Sequence, residues 1–467
     1  MLLMLAQVVI LASGFGISII LGRGLGPVEF GVYGTALAVL TVFERILAAG
    51  IPIAAATLIA RQHSRQAELE QAAFVLMCAW AMLLWAALEA GAPMISQLLH
   101  VDALLLRVLA FNIPAMGLYL AYDAIFSGRR EFAVQSSLQT VQSLAKLAAI
   151  CVLLFLGLTV VRVFAVHVAA TFVAAGIAML RFPPTWQWPR RDVVISMLRI
   201  AFTSGFYTIA LSLLMSLGLW QLGASSAQTG AGIGFYVAGQ NVTRLLMVIP
   251  ISLSGVLFTS ASWAAGRSDR EQFTQYVTAT MRLALILLLP ACVLVWIDAE
   301  GIIGLLYGSR YAGAGEVLAM LCIAYSLLGV FDILAHVLMA EGRFRLAAGL
   351  ACALALIQYL MNRQLIPVAG AVGAAASMAI AFLAGILIIA IDILRRRGAI
   401  LRWGSTLRVA GICALIGLIS TQVPAASAWL VGKLTVLGVT YLAALWVLRE
   451  VTPADLQAFK KRKPDPT

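Results

Sequence analysis

Apolar runs of about 20 residues recur from the start of this chain almost to its end, and they limit the folds open to it. Of its 467 residues, 62% are hydrophobic and only 11% are charged, so a soluble domain would expose too much apolar surface. Because lipid offers the backbone no hydrogen-bond partners, each spanning segment must satisfy its own. The short alternating strands of a membrane barrel are not found in the sequence. We therefore predict an all-α polytopic membrane protein.

These apolar runs predict about fourteen membrane spans. The first run lacks a basic leader and a small-residue cleavage site, so it is interpreted as a span and not as a cleaved signal peptide. The longest connection contains Pro183 and Pro184 together with two tryptophans, which favours a cytoplasmic interfacial linker at 182–197. The predicted spans lie near 2–21, 32–60, 72–91, 101–127, 136–157, 161–180, 198–222, 233–262, 277–297, 312–340, 344–366, 370–394, 404–422 and 425–449.

The distribution of basic residues predicts the orientation of these spans. If the N-terminus is cytoplasmic, most of the 32 lysines and arginines fall in inner loops or in the C-terminal tail. Only Arg23, Arg162, Arg310 and Arg363 fall in outer loops. Because cytoplasmic loops carry an excess of Lys and Arg, this bias predicts an even number of spans with both termini in the cytoplasm.

Several classes of partner are not supported by the sequence. The net charge of +12 is scattered between apolar runs and forms no single basic face, so no nucleic-acid partner is predicted. The six cysteines lie inside apolar runs without a C-x-x-C pair, which argues against disulfides and a zinc site. The chain carries no G-x-x-x-x-G-K-[ST] motif for ATP. We therefore expect no cofactor.

Two inner connections of the chain resemble each other. The segment LYLAYDAIFSGRREF, which ends at Phe132, is matched by VFDILAHVLMAEGRFR, which ends at Arg345. The loops after the fifth and eleventh spans follow at nearly the same offset. This parallel repeat predicts two lobes of six spans, 1–181 and 198–397, around a central cavity. Two further spans (398–449) and a basic cytoplasmic tail (450–467) follow.

The connection between the first two spans carries the most distinctive motif. Its pattern is Arg-x-Leu-Gly-Pro, then Phe/Tyr-Gly-x-Tyr, then Gly-Ile-x-x-Ala and a basic residue. This pattern resembles the polysaccharide biosynthesis/export proteins, the O-antigen (Wzx-type) flippases of the multidrug/oligosaccharidyl-lipid/polysaccharide exporter superfamily. The matching residues are Arg23, Leu25, Gly26, Pro27, Phe30, Gly31, Tyr33, Gly50, Ile51, Ala54 and Arg61.

The resemblance implies a transporter and not an enzyme. Members of that family move polyprenyl-diphosphate-linked oligosaccharide across the bacterial inner membrane, for surface polysaccharide or exopolysaccharide assembly. The implied partners are this lipid-linked oligosaccharide, membrane lipids, and a polysaccharide polymerase with its export machinery. The short basic leader usual before the first span of the family is absent here, which leaves open where that span, and the natural chain, begins.

Ionisable residues inside spans are the candidate site residues, because each costs roughly 2.5–3.5 kcal/mol at mid-helix and is expected to face a cavity or a partner. Bases outnumber acids deep in the spans, which predicts a cationic cavity for the diphosphate of a lipid carrier. Arg107 and Arg282 lie near span ends, so the competing interpretation is that their side chains extend to the membrane interface. The candidate bases are Arg45, Lys146, Arg244, Arg107 and Arg282.

The acids and one histidine inside spans are candidates for proton coupling, since burial shifts carboxylate and imidazole pKa values in opposite senses. Asp332 and His336 are four residues apart and are expected on one helix face. Asp123 and Glu44 complete this set. For the histidine, hydrogen-bonded packing is the alternative role.

Three other functions stay open at this point. A lipid II flippase would share the architecture and the cationic cavity. A cation-coupled multidrug exporter would favour acidic groups in its cavity, whereas this chain has an excess of bases. A membrane glycosyltransferase or polymerase needs catalytic groups in sizeable outer loops, and the longest outer loop offers only Asp298 and Glu300.

The predicted topology can be tested with reporter fusions. A reporter fused at any inner connection should give a cytoplasmic signal, because the basic residues are concentrated in every second connection between spans. A periplasmic signal from any interior fusion would contradict the predicted alternation and the lobes drawn from it. The fusion points are Arg65, Arg130, Arg191, Arg270, Arg345, Arg397 and Lys463.

Overall fold

The computed structural model describes residues 2–183, 188–204, 206–225, 230–267, 269–397, 403–423, 429–448 and 450. Within these residues every regular element is a helix. Three short 3-10 segments, His63–Arg65, Arg244–Met247 and Ser309–Ala314, join longer helices. The α-helices are α1 (Leu2–Ala48), α2 (Ile51–Arg61), α3 (Gln66–Leu99), α4 (Ala103–Ala110), α5 (Asn112–Arg129), α6 (Phe132–Leu156), α7 (Val160–Arg181), α8 (Arg191–Ser204), α9 (Phe206–Ala224), α10 (Gly230–Thr243), α11 (Val248–Gly266), α12 (Arg270–Ile297), α13 (Ala299–Tyr307), α14 (Gly315–Ala340), α15 (Phe344–Arg397), α16 (Trp403–Gln422) and α17 (Leu430–Val447).

Twelve helical runs in the described part of the chain are long and apolar enough to cross a membrane. Two of them, Ala6–Arg61 and Phe344–Arg396, are long enough for two crossings each, at 56 and 53 residues. Both are broken at a glycine in the left-handed region, Gly26 (φ 77°) and Gly370 (φ 56°). Pro27 then begins the next helix, where its missing N–H leaves no bond unmade. Counting each broken run as two confirms the predicted fourteen-span, all-α multi-pass fold.

The connection predicted as a linker contains a helix that the sequence analysis missed. α8 begins at Arg191, so part of 182–197 is helical and the seventh span begins at Phe206 instead of 198. Val193 and Met197, four residues apart, are buried in an apolar cluster with residues of α2 and α3. Residues 184–187 of the predicted linker lie outside the described residues.

An ion pair fastens the start of α8 to the preceding inner connection. The guanidinium of Arg65 lies 2.8 Å from the carboxylate of Asp192 and 2.9 Å from that of Glu68. The hydrogen bond from Arg65 lowers the pKa of Asp192 below its ordinary value. Both groups are open to solvent, so the pair fixes the position of α8 more than it adds stability.

The two halves of the chain repeat the same turns. In the first half, left-handed residues follow the third, fourth and fifth spans, namely His100 (φ 53°), Arg130 (φ 60°) and Gly157 (φ 94°). In the second half, the residues after the ninth, tenth and eleventh spans are Gly308 (φ 86°), Gly342 (φ 80°) and Gly370 (φ 56°). Both halves therefore place a left-handed residue in three successive connections.

By its internal contacts the described chain forms two compact units, here called unit 1 (residues 1–241 and 348–381) and unit 2 (residues 242–347 and 382–467). These units follow contacts, whereas the predicted lobes 1–181 and 198–397 follow the repeat along the chain. The lobes therefore stay a prediction. So does the basic tail, because everything after Glu450 lies outside the described residues.

In unit 2 the last two spans pack on α12 through an apolar cluster that includes Ile286, Ile412 and Tyr441. A buried ion pair adds to this contact. The ammonium of Lys433 on α17 lies 2.7 Å from the carboxylate of Asp298, which also accepts a hydrogen bond of 3.0 Å from Ser420. Only 5% and 2% of the two charged side chains are exposed, so neither charge is available to a substrate.

In unit 1 the distinctive motif of the first connection packs against α10. A Cβ added to Gly31 would lie 2.9 Å from the backbone of Gly230 and of Gly234. A Cβ on Gly234 would lie only 1.8 Å from the carbonyl oxygen of Pro27. Small residues allow helix backbones in membranes to approach this closely. The motif is therefore explained by packing and does not itself indicate a substrate site.

We expect Gly234→Ala to reduce severely the amount of folded protein, because backbone atoms block its new methyl group. Size-exclusion chromatography of a fluorescent fusion measures this yield. Gly176→Ala is the matched control, since Gly176 also lies inside a helix of unit 1 but has no atom within 4 Å of its added Cβ. Equal yields of the two variants would contradict the close approach.

Candidate functional site

One face of α6 carries a row of polar side chains through a membrane span. Gln135, Gln139, Gln142 and Lys146 are spaced three or four residues apart and therefore share one helix face. All four are partly buried. We call this row the α6 stripe. Three helices of unit 1 supply its partners.

At one end of the α6 stripe the partner is Asp123 on α5. Its carboxylate accepts hydrogen bonds from the amide nitrogens of Gln135 (3.1 Å) and Gln139 (3.0 Å). The amide oxygen of Gln139 is buried without a hydrogen-bond partner among the described residues. Asp123 was a candidate from the sequence, and the structure joins it to two neutral amides.

In the middle of the α6 stripe the partners lie on α7. The amide nitrogen of Gln142 donates to the hydroxyl of Thr171 at 3.3 Å, and that hydroxyl donates to the carbonyl of His167 at 3.0 Å. The imidazole of His167 also lies within electrostatic range of the ammonium of Lys146. This histidine received no role in the sequence analysis.

At the other end of the α6 stripe, a charged side chain of α1 lies near Lys146. The carboxylate of Glu44 lies within electrostatic range of Lys146 and Arg45. It accepts a hydrogen bond of 2.7 Å from the amide of Asn112, whose own oxygen is buried without a partner in the described chain. Arg45 is exposed. Two cations and one carboxylate leave this group with a net positive charge, so it can attract an anion.

A second polar cluster lies in unit 2. The carboxylate of Asp332 is 4% exposed and accepts a hydrogen bond of 2.9 Å from Ser254 on α11. The Nδ1 atom of His336 lies 3.5 Å from this carboxylate and 2.8 Å from the carbonyl of Asp332. The two side chains therefore share one face of α14, as their spacing predicts.

Two other predicted bases, Arg107 and Arg244, have different surroundings. Arg107 is exposed and lies 3.8 Å from the carboxylate of Glu89, which suits the interpretation that it reaches the interface. Arg244 lies partly buried in the 3-10 segment that interrupts the eighth span. It belongs to unit 2, and its role in a diphosphate site stays a prediction.

Arg282 is held in an ion-pair cluster at the end of unit 2. Its guanidinium lies 3.2 Å from the carboxylate of Glu450, which is 1% exposed and also accepts from Ser405 and Arg408. Burial alone would raise the pKa of Glu450, but these hydrogen bonds and charges hold it below its ordinary value. The positive charge of Arg282 is thus paired with a carboxylate of the protein itself.

The profile of a known family matches this chain over residues 1–259, which is more than half of its length. The family is described as the polysaccharide biosynthesis proteins. The chain belongs to this family.

Two relatives carry more specific names. The probable low-salt glycan biosynthesis flippase Agl15 of Haloferax volcanii is 25% identical over 154 residues, which are 33% of either chain. The succinoglycan biosynthesis transport protein ExoT of Rhizobium meliloti is 27% identical over 325 residues, which are 66% of this chain and 62% of that one. The matched parts thus span a third of one relative and less than two thirds of the other.

Solved structures show the same fold. The lipid II flippase MurJ in an inward closed conformation superposes with a TM-score of 0.80, covering 96% of this chain and 99% of that one at 12% identity. An inward-facing multidrug resistance MATE transporter of the MOP superfamily gives 0.68, covering 83% of this chain and 96% of that one at 16% identity.

In this polysaccharide biosynthesis protein, part of the candidate site escaped the sequence analysis. Asn112 and the three glutamines of the α6 stripe were missed because only ionisable residues were considered. A signal was nevertheless present, since Gln135, Gln139 and Gln142 repeat at helical spacing inside an apolar run. The contacts of Arg282 had no such signal, because Glu450 is 168 residues away along the chain.

Substituting Arg282 tests whether its role is structural. Arg282→Ala leaves the buried Glu450 with fewer partners, and breaking a buried ion pair costs about 3–5 kcal/mol. We expect a clearly lower melting temperature in detergent, measured by differential scanning fluorimetry. Arg107→Ala, which removes an exposed pair, should melt close to the wild type. Unchanged melting of Arg282→Ala together with lost transport would assign Arg282 to the substrate instead.

Proposed function

We propose that this chain is a flippase that moves polyprenyl-diphosphate-linked oligosaccharide across the bacterial inner membrane by alternating access. Three findings support the proposal. The chain belongs to the polysaccharide biosynthesis protein family, two relatives are named as glycan transport proteins, and the fold is that of MurJ and MATE transporters. The proposed role is transport without chemistry on the glycan, in support of surface or exopolysaccharide assembly.

The observation that carries the proposal is the charged end of the α6 stripe. Lys146 and Arg45 lie around a single carboxylate, Glu44, within segments apolar enough to span a membrane. A diphosphate can compete with Glu44 for these cations, since phosphate oxygens accept charge-assisted hydrogen bonds from both kinds of base. The lipid-linked oligosaccharide then binds the site through its diphosphate, which is its most strongly charged group.

This competition offers a route to energy coupling. When a diphosphate binds Lys146, its negative charge offsets the effect of this lysine on Glu44, and the proton affinity of Glu44 rises. Glu44 can then take up a proton as substrate binds and release it when substrate leaves. Asp123, Asp332 and His336 are further proposed sites of proton exchange.

Two other transporters of this fold are candidate alternatives. A multidrug exporter for organic cations is less well supported, because the α6 stripe ends in an excess of positive charge. A lipid II flippase is the stronger alternative, because this chain has the fold of the lipid II flippase MurJ. The names of Agl15 and ExoT favour a polysaccharide precursor over lipid II.

A membrane glycosyltransferase has little support among the described residues. The predicted outer loop with acidic groups contains Asp298 and Glu300, but Asp298 is buried against Lys433.

We propose that the partners are membrane lipids, a polymerase and its export machinery, and that both termini are cytoplasmic.

Replacing the cations should abolish transport. Charge-assisted hydrogen bonds contribute roughly 1.5–3 kcal/mol, so Arg45→Ala and Lys146→Ala should each weaken substrate binding by about one to two decades. Arg244→Ala tests the predicted base of unit 2 in the same assay. The measurement is surface glycan in a deletion strain, together with the membrane level of each variant.

Conservative substitutions and a control complete this test. Arg45→Lys should restore export only partly, because it keeps the charge and loses the planar fork. Arg107→Ala, whose guanidinium is exposed, should export normally. Normal export by an Arg45→Ala/Lys146→Ala double variant would rule out the cationic site, while leaving the family assignment intact.

A further inference from the structure

The α6 stripe extends well beyond its charged end. From Lys146 to Gln135 it covers eleven helical steps, or about 16 Å at 1.5 Å per residue. Along this length it presents amide groups of three glutamines, followed by the carboxylate of Asp123. Such groups recognise neutral hydroxyls, since an amide both donates and accepts hydrogen bonds.

The opposite face of α6 identifies which side meets lipid. Val141, Leu144 and Phe155 lie roughly half a turn away from the stripe and are 46%, 47% and 90% exposed. Apolar side chains with that exposure suit a lipid surface. The glutamines are also partly accessible, and polar groups in a span avoid hydrocarbon. The surface beside the stripe is therefore a polar one.

Hydrogen-bonding capacity along the stripe is incompletely used. The amide oxygens of Gln139 and Asn112 are both buried, and neither has a partner within the described residues. A buried acceptor without a partner is unfavourable and calls for a ligand or water. The helices around the stripe therefore contain hydrogen-bonding capacity that their own side chains do not use.

We propose that the α6 stripe is the glycan-contact surface of the site, with the sugars nearest the diphosphate lying along α6 from Lys146 towards Asp123. This inference rests on the proposed function, in which Lys146 binds the diphosphate. Sugar hydroxyls exchange hydrogen bonds with the partly accessible amides of the glutamines and with Asp123. Because these groups are neutral apart from Asp123, they select an uncharged polyhydroxyl ligand rather than a further anion.

The test compares two ligands that differ only in the glycan. The first is the lipid-linked oligosaccharide that accumulates in a strain lacking this chain. The second is undecaprenyl diphosphate without sugar. Binding of each to the purified protein in detergent is measured by microscale thermophoresis. Wild type should bind the glycosylated lipid more tightly, because only that ligand reaches the glutamines.

Substitutions then separate the two parts of the site. Gln139→Ala/Gln142→Ala should weaken binding of the glycosylated lipid about tenfold and leave undecaprenyl diphosphate unchanged. Lys146→Ala should weaken both ligands. Gln364→Ala, an exposed glutamine on another helix of unit 1, should change neither. Unchanged binding of undecaprenyl diphosphate also shows that the double variant is folded, and Gln142→Ala alone serves if it is not.

The outcomes distinguish this inference from the function on which it rests. If wild type binds both lipids equally, or the glutamine variants bind the glycosylated lipid like wild type, the glycan-contact role is wrong and the flippase proposal stands. If no lipid-linked oligosaccharide accumulates in the strain lacking this chain, or if wild type binds neither lipid, the flippase proposal itself fails.

Discussion

The hydrocarbon of a bilayer offers no hydrogen bonds, and this single constraint accounts for most of the structure. Each spanning backbone must satisfy its own N–H and C=O groups, so the described chain folds into helices. The same constraint applies to side chains. Polar groups in spans either pair with each other, as Lys433 does with Asp298, or face a polar surface, as we infer for the glutamines of α6.

Paired and incompletely paired charges have different uses in this protein. The pair of Asp298 with Lys433 and the carboxylate of Glu450, which pairs with Arg282 and Arg408, are nearly closed to solvent and connect the last helices to α12 and its end. The pair of Asp298 with Lys433 is neutral and offers little to a ligand, whereas Glu450 is shared by two arginines. The group around Glu44 also has two cations for one carboxylate, and beside it the amide oxygen of Asn112 is left unused. Residual charge and unused acceptors are what a polar substrate requires.

Sequence periodicity and turn chemistry predicted the fold well, but they predicted the site only in part. The helix break at Gly26 and Pro27 follows from local chemistry, and fourteen spans follow from hydropathy. α8 was missed because proline and tryptophan dominate the segment before it. Its short apolar face of Val193 and Met197 is defined by packing against helices that are distant in sequence, mainly α2 and α3. Glu44, Lys146 and Asp123 were found as ionisable residues. Their connection through neutral amides depends on contacts between helices that are distant in sequence.

The turns that occur in both halves show that a connection can keep a left-handed backbone even where its residue does not favour that conformation. Gly308 and Gly342 adopt left-handed backbone without steric penalty, whereas His100 and Arg130 occupy the corresponding turns with a side chain present. An L residue in this conformation costs roughly 1–2 kcal/mol, which the helices on either side must offset. The geometry of the connection is therefore set by how the helices pack, and the turn residue can differ between the two halves. Two halves built in this way diverge in sequence while keeping one path, and the same freedom allows a TM-score of 0.80 to accompany only 12% identity.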